Sequence, residues 1–545
     1  MSRAAPTAPP ARIVRHERAA WAGIAAVSAG VLAHLPMYLQ AADDGYRLAG
    51  MRVDGAMIAG MILILGGLAA TAYGLLPRAA PPRAGAAAGV SVRAMDDAPI
   101  SRAHVGLLLV MAAAVTIDVM KPTTLAFVLP GFAAEYGLGS PTNPGGHPPA
   151  ALLPLAGITG TVIGALAWGW LGDRIGRRAA ILLAGVLFVA TAICGAMPSY
   201  QLNLVMCFVM GLGVGGMLPI TFTLIAETIP ARHRGWLMVL IGGDIAGAYV
   251  LTSWLSSSLV PDYSWRILWL IGLPTGLLLI ALSRWIPESA RFLLAHGREE
   301  QARAVMARYG ARLVPDEGDA GAAAGEPARP GFAQLFRRPL RQATWLVVPL
   351  GLGAGLVAFG FQLWIPSNLR SLGFTDVSAD RILRDSALIG FPLNFLVAWL
   401  YGFWSSRKTI AVLAGLTAAA LAGFAVAGDA VAGHRTLLYV LLVVPIWGLS
   451  SVAAVLATYS AEVYPTRVRS RGAGLAGAAS KAGGIVVIAV AAAAATPPTI
   501  TATAIIGGIP LALAAVAALA FGIETRGRRL EQIGAAELRV GAPAP

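Results

Sequence analysis

Charge is what this sequence has least of. Asp, Glu, Lys and Arg make up 12% of its 545 residues, about half of the roughly 25% that soluble domains carry. Hydrophobic residues reach 57% and the mean hydropathy is +0.70. A water-covered surface cannot be built from that composition, so a soluble globular protein is excluded. Cysteine is nearly absent: Cys194 and Cys207 are the two, both inside apolar runs, where neither a disulfide framework nor a metal site is implied. There is no phosphate-binding glycine loop with its lysine, no metal-spaced histidine set and no nucleophile motif, so no cofactor is expected and an enzyme has no residues to rest on. The formal charge of +14 is spread over alternate loops instead of one amphipathic face, which argues against a nucleic-acid partner.

What the chain has is long apolar runs, each near the ~20 residues a bilayer core requires. They fall at about 20–41, 54–76, 103–128, 150–171, 179–197, 203–226, 237–260 and 266–285, then at 343–365, 385–404, 409–427, 436–458, 473–495 and 499–522. The expectation is an all-α integral membrane protein of fourteen spans. Most Lys and Arg lie in alternate connections (1–18, 77–102, 172–178, 232–234, 284–341, 405–408, 467–471 and beyond Glu524), which places these on the cytoplasmic side of the cell inner membrane, both termini included. The basic N-terminus runs into its apolar stretch without a clear cleavage site and reads as a retained helix. The expected organisation is a cytoplasmic segment 1–19, two additional helices 20–76, a linker 77–102, a six-helix half 103–285, a central loop 286–341, a second half 342–523 and a cytoplasmic tail 524–545. The loop sequence "PDEGDAGAAAGEPARPG" is too rich in Gly, Ala, Pro and charge to fold alone.

Duplication supports the two halves. "AETIPARHRG" from Ala226 returns as "AEVYPTRVRSRG" from Ala461, and "PESARFLL" from Pro287 and "ETRGRRLEQI" from Glu524 follow at nearly the same offset. "GFWSSRK" from Gly402 is a worn echo of "GWLGDRI" from Gly169, with Ser406 set against Asp173. Two six-helix halves related as parallel repeats are a transporter architecture.

Over about residues 103–535 these motifs resemble the major facilitator superfamily, in particular its sugar-porter and metabolite:proton symporter branches. Gly169, Asp173, Arg174, Gly176, Arg177 and Arg178 match its loop signature between core helices 2 and 3. Glu227, Pro230, Arg232, Arg234 and Gly235 match the end of core helix 4, with Glu462, Pro465, Arg467 and Arg469 as a second copy. Pro287 to Arg291 and Glu524 to Ile533 match the closures of helices 6 and 12. The resemblance implies alternating access, with Asp173 accepting hydrogen bonds from an arginine or a helix N-terminus of the other half as a cytoplasmic latch; marking topology is the plainer role. Arg177 and Arg178 are expected at anionic lipid headgroups. Two departures stand out: Cys207 replaces an arginine that the family commonly uses in proton coupling, and Lys121 replaces the second acid of the Asp-Gly-x-Asp common in aromatic-acid symporters, whose first acid is Asp118.

Charges inside a membrane are costly and functional by default. Asp118 and Lys121 lie three apart on one face, at roughly 21 and 25 Å of helical rise; they either neutralise each other or serve a proton and an anionic substrate. Pro122 is expected to weaken the helix beside them. Asp244 is a second proton candidate. Lys481 either faces a cavity or snorkels to the cytoplasmic face, and Gln362 and Asn394 suit either substrate hydrogen bonding or helix contact. The expected function is a secondary active transporter for a small metabolite, an organic acid before a sugar or drug, with protons and the lipid bilayer as the further partners of a monomer. A nutrient sensor on the same fold would need a longer cytoplasmic extension than the tail provides.

Overall fold

The computed structural model describes residues 16–75, 90–91, 95–140, 143, 145–311, 314–315, 332–338, 340–365, 369, 376–464, 468–494, 500–528 and 533. Nearly all of this is helix. The first eight long helices are α1 Glu17–Gln40, α2 Gly55–Leu75, α3 Arg102–Tyr136, α4 Leu152–Ile175, α5 Arg177–Ala196, α6 Tyr200–Thr228, α7 Ala231–Tyr263 and α8 Ile267–Trp285. Two short helices, Ala290–Ala295 and Glu299–Arg308, come next. The second group is α9 Arg341–Ile365, α10 Asp376–Trp399, α11 Ser406–Ala427, α12 Arg435–Val463, α13 Arg469–Ala494 and α14 Ile500–Phe521. Among the described residues one small antiparallel ladder pairs Val90–Ser91 with Val314–Pro315.

Thirteen of these helices are long and apolar enough to cross a membrane. The fourteenth, α10, opens on Asp376, Asp380, Arg381, Arg384 and Asp385, which confines its apolar part to Leu388–Trp404. It approaches spanning length by continuing through a π-helical turn at Leu400–Trp404. Local sequence sets several ends: Ser101 and His104 form a capping box for α3, Ser199 Oγ accepts the Leu202 N–H at 3.2 Å to start α6, and Gly137 closes α3 in left-handed backbone at φ 64°. Pro122 does not interrupt α3, which runs unbroken through it and through Pro130; packing on neighbouring helices holds a span together where one ladder bond is lost.

Helices α3 to α8 bury one apolar core and α9 to α14 a second. The halves meet where α7 lies against α10 and α12, and where α4 lies against α13. At one end this α4–α13 seam is apolar, closed by Ala151, Ile158 and Ile488. At the other end Arg177, Arg234, Arg291 and Arg469 converge from four different stretches of chain; this is the basic end.

The leading hairpin packs on the outside of the first half. Val27, Val31 and Ile64 share a cluster with Val186, Val189 and Ile193 of α5 and Ile280 of α8. Opposite the basic end, the loop between α1 and α2 is tied down by one carboxylate. Glu135, near the end of α3, accepts the N–H groups of Leu48 at 2.9 Å and Ala49 at 3.0 Å, the Trp265 indole N–H at 3.0 Å, and the Arg266 guanidinium at 2.7 Å.

Candidate functional site

At the basic end the duplicated motifs exchange partners. Glu227, at the end of α6, stands 3.8 Å from Arg469 of the second half, while Arg234, in the first turn of α7, places Nε 3.5 Å from Glu462 at the end of α12. Each half therefore offers the other one glutamate and one arginine from the same motif. None of the four is more than 4% exposed, a setting in which a charge persists only when paired. Arg177 joins from the first half, 3.3 Å from Glu227. Glu462 also accepts the Tyr401 hydroxyl at 2.9 Å and the Thr525 hydroxyl at 2.7 Å.

Beside this network each half caps a helix with a glutamate. Glu288 accepts the Arg177 N–H at 2.7 Å and the Ser289 N–H at 3.0 Å, using the free donors and positive pole at the start of α5. Glu524 does the same for α11, accepting the Ser406 N–H at 2.9 Å, the Ser406 hydroxyl at 2.7 Å and the Ser405 hydroxyl. Gly176 is required where it stands: its φ is 95°, and a Cβ would run into the Glu288 carboxylate. Burial pushes the Glu288 carboxyl up against its hydrogen bonds and Arg177. Burial acts likewise on Glu524, but donors from Ser405, Ser406 and Arg526 hold it below its ordinary value. The caps make Ser406 equivalent to Arg177, not to Asp173 as the echo of the loop signature suggests.

The other motif residues are dispersed. Gly169 is buried within α4, Arg174 lies exposed over the Trp170 ring at 4.1 Å, and Arg178 and Arg232 are exposed. Arg177, expected at lipid headgroups, is instead drawn inward by Glu227 and by Gly172, whose carbonyl accepts it at 3.1 Å. The Asp173 side chain and Arg467 lie outside the described residues.

Midway along the bundle Asp118 and Lys121 part company. Lys121 points towards α5 and α8, donating to the Phe188 carbonyl at 3.4 Å beside Cys194 and Gly272. Asp118 is fully buried, neither carboxylate oxygen has a hydrogen-bond partner among the described residues, and the charge there that acts on it is Lys481 of α13, from the other half. Of the two roles the sequence left open, mutual neutralisation of Asp118 and Lys121 is not what the structure has: Lys121 turns into the first half, and the charge acting on Asp118 comes from across the seam. Lys481 lies 5.5 Å from the Phe359 ring centre, in the π-helical turn Val357–Gln362 of α9 that also carries Gln362, so it does not snorkel. Asp244 accepts the Thr116 hydroxyl within the first half. Asn394 accepts Ser451 Oγ at 3.0 Å, leaves its amide nitrogen without a partner, and lies where α10 meets Gly243 of α7. Among the described residues Thr221, Trp364 and Trp447 likewise present buried polar atoms with no hydrogen-bond partner, which ordinary packing avoids.

Residues 151–536 match the family model described as "Sugar (and other) transporter". The chain belongs to that family. It is a sugar-porter-like transporter of the major facilitator superfamily and not an enzyme. The niacin transporter of Acinetobacter baylyi is 27% identical over 464 residues, 81% of this chain and 99% of that protein. The 4-hydroxybenzoate transporter of Pseudomonas putida is 26% identical, covering 69% and 83%, and the gallate transporter of the same organism 28%, covering 69% and 82%. In fold the transporter is similar to the proton:xylose symporter XylE bound to 6-bromo-6-deoxy-D-glucose, with a TM-score of 0.63 at 18% identity over 80% of this chain and 99% of that one.

Within this transporter three site features escaped the sequence. Asp96 in the linker and Glu135 at the end of α3 look like ordinary helix-flanking acids until the fold brings arginines to them. The Asp118–Lys481 juxtaposition joins residues 363 positions apart, with no local signal. Cys207, in place of the family's arginine, donates to the Leu153 carbonyl of α4 at 3.4 Å and stays within the first half.

Proposed function

We propose that this transporter is a proton-coupled symporter of the cytoplasmic membrane that carries a small aromatic carboxylate inward by alternating access. Its basic end, with the central loop and both termini, faces the cytoplasm. The observation that carries the reading is the buried Asp118 carboxylate, without hydrogen-bond partners, facing Lys481 from the opposite half. Empty, the two charges offset each other. When a substrate carboxylate takes Lys481, neutrality is restored by a proton on Asp118, so anion and proton enter together. Phe359 and the unpartnered Trp364, Trp447 and Asn394 groups supply apolar faces and donors suited to a ring. Niacin, 4-hydroxybenzoate and gallate, named for the relatives, are all aromatic acids.

Radiolabelled uptake into proteoliposomes under an imposed pH gradient tests this. Nicotinate or 4-hydroxybenzoate should accumulate with acid outside, and a protonophore should abolish the accumulation. Gradient-independent uptake, or uptake of xylose in place of the acids, overturns the reading.

A further inference from the structure

Asp96 lies in the segment that joins α2 to α3, ahead of the residues matched by the family model. It is 5% exposed, an uncommon setting for aspartate. Its Oδ1 stands 3.1 Å from Arg234 Nη1 and its Oδ2 3.4 Å from Arg291 Nη2. Its own carbonyl accepts the N–H of Ala231, the first residue of α7, at 3.0 Å. Arg234 is the side chain whose Nε faces Glu462 across the halves and whose Nη2 donates to the Arg528 carbonyl at 2.9 Å.

A guanidinium is a rigid planar fork, so fixing one corner sets the direction of the others. We propose that Asp96 is a positioning residue of the cytoplasmic gate: by holding Arg234 Nη1 it aims Nε at Glu462, and the segment following the leading hairpin thereby helps keep the cytoplasmic side shut. Without this carboxylate, the buried Arg234 and the half-buried Arg291 lose the negative partner they share. The shut state bears that cost, because opening gives Arg234 water in place of Glu462.

The inference rests on reading the charge network as a gate, and inter-half distances separate the two claims without any substrate. Full-length protein in nanodiscs, carrying spin labels at Arg284→Cys and Lys408→Cys, reports one exposed position on each half; native Cys194 and Cys207 are buried. Glu462→Gln should increase the population with a wide cytoplasmic separation, and Asp96→Asn should increase it roughly fivefold or more. Asp96→Glu should restore the narrow distribution, and Asp97→Asn should leave it unchanged. A variant with an unaltered side chain at 96 guards against misfolding of the first: Ala231→Pro deletes the N–H donated to Asp96 while suiting both position N1 of α7 and the extended Pro230, at φ −56° and ψ 142°. It too should widen the distribution. If Glu462→Gln opens the gate while Asp96→Asn and Ala231→Pro merely lower thermal stability, Asp96 is structural and the proposal fails. If none of the three changes the distances, the gate reading falls with it.

Discussion

Asp118 and Lys481 define the residue scale, because the first is buried, the second half-buried, and the charge acting on each belongs to the other half. Removing either alone leaves the other's charge without its counter-charge inside the membrane, whereas removing both is better tolerated. Melting of purified variants should therefore rank Asp118→Asn/Lys481→Met above either single variant. Transport should rank them differently. Lys481→Met is expected to raise KM for the carboxylate roughly tenfold, the size of one lost charge-assisted hydrogen bond, while Lys121→Met changes it little because Lys121 points into the first half. Asp118→Asn should keep exchange and lose pH-driven accumulation, and the double variant should not recover it; recovered accumulation would reduce the pair to a structural one. That intramembrane charges mark this level was legible from composition, since hydropathy makes them conspicuous. Their pairing was not. A spacing of three places Asp118 and Lys121 within 60° of each other, but which neighbour each meets depends on helices packed from elsewhere in the chain.

Helix boundaries were the most readable element, since apolar length and arginine-rich loops report a bilayer directly. What the loops do was harder to read. The glutamates of "PES" and "ETR" were visible as repeats, yet their role as caps of α5 and α11 appears only when α8 and α14 return beside those helices. Glu524 turns this into a pH prediction. Its carboxyl is held below its ordinary value, so its stabilising contribution is complete above that unfolded value and fades as pH falls through the native one. Glu524→Gln should lower stability by about 1 kcal/mol at neutral pH, the usual worth of a cap, and should flatten the acid side of a melting-temperature profile. An acid limb as steep in the variant as in the parent would assign that dependence to another group.

For the whole molecule, the count of spans carries the orientation. Among the described residues thirteen helices are long and apolar enough to cross, with the shorter apolar part of α10 beside them; fourteen crossings, an even count, would put both termini on one side. Tags at residue 1, at residue 545 and in the 316–331 stretch should all be reached by impermeant reagents only after the membrane is opened. A tag at residue 1 labelled in intact cells would mean one span fewer. The leading hairpin has a further consequence, visible when repeat-equivalent helices are compared. In α5, against which the hairpin packs, 83% of the most apolar stretch is buried in protein, whereas in α11 the figure is 39%. One copy is thus solvated by side chains and the other by acyl chains, although both began from the same duplicated design. Substitutions on α11 will be judged by the lipid, which accepts any apolar shape and rejects polarity. Those on α5 will be judged by fit, so that Val186 or Val189 enlarged to Phe should do harm that the same change at Val412 or Leu416, exposed on α11, does not.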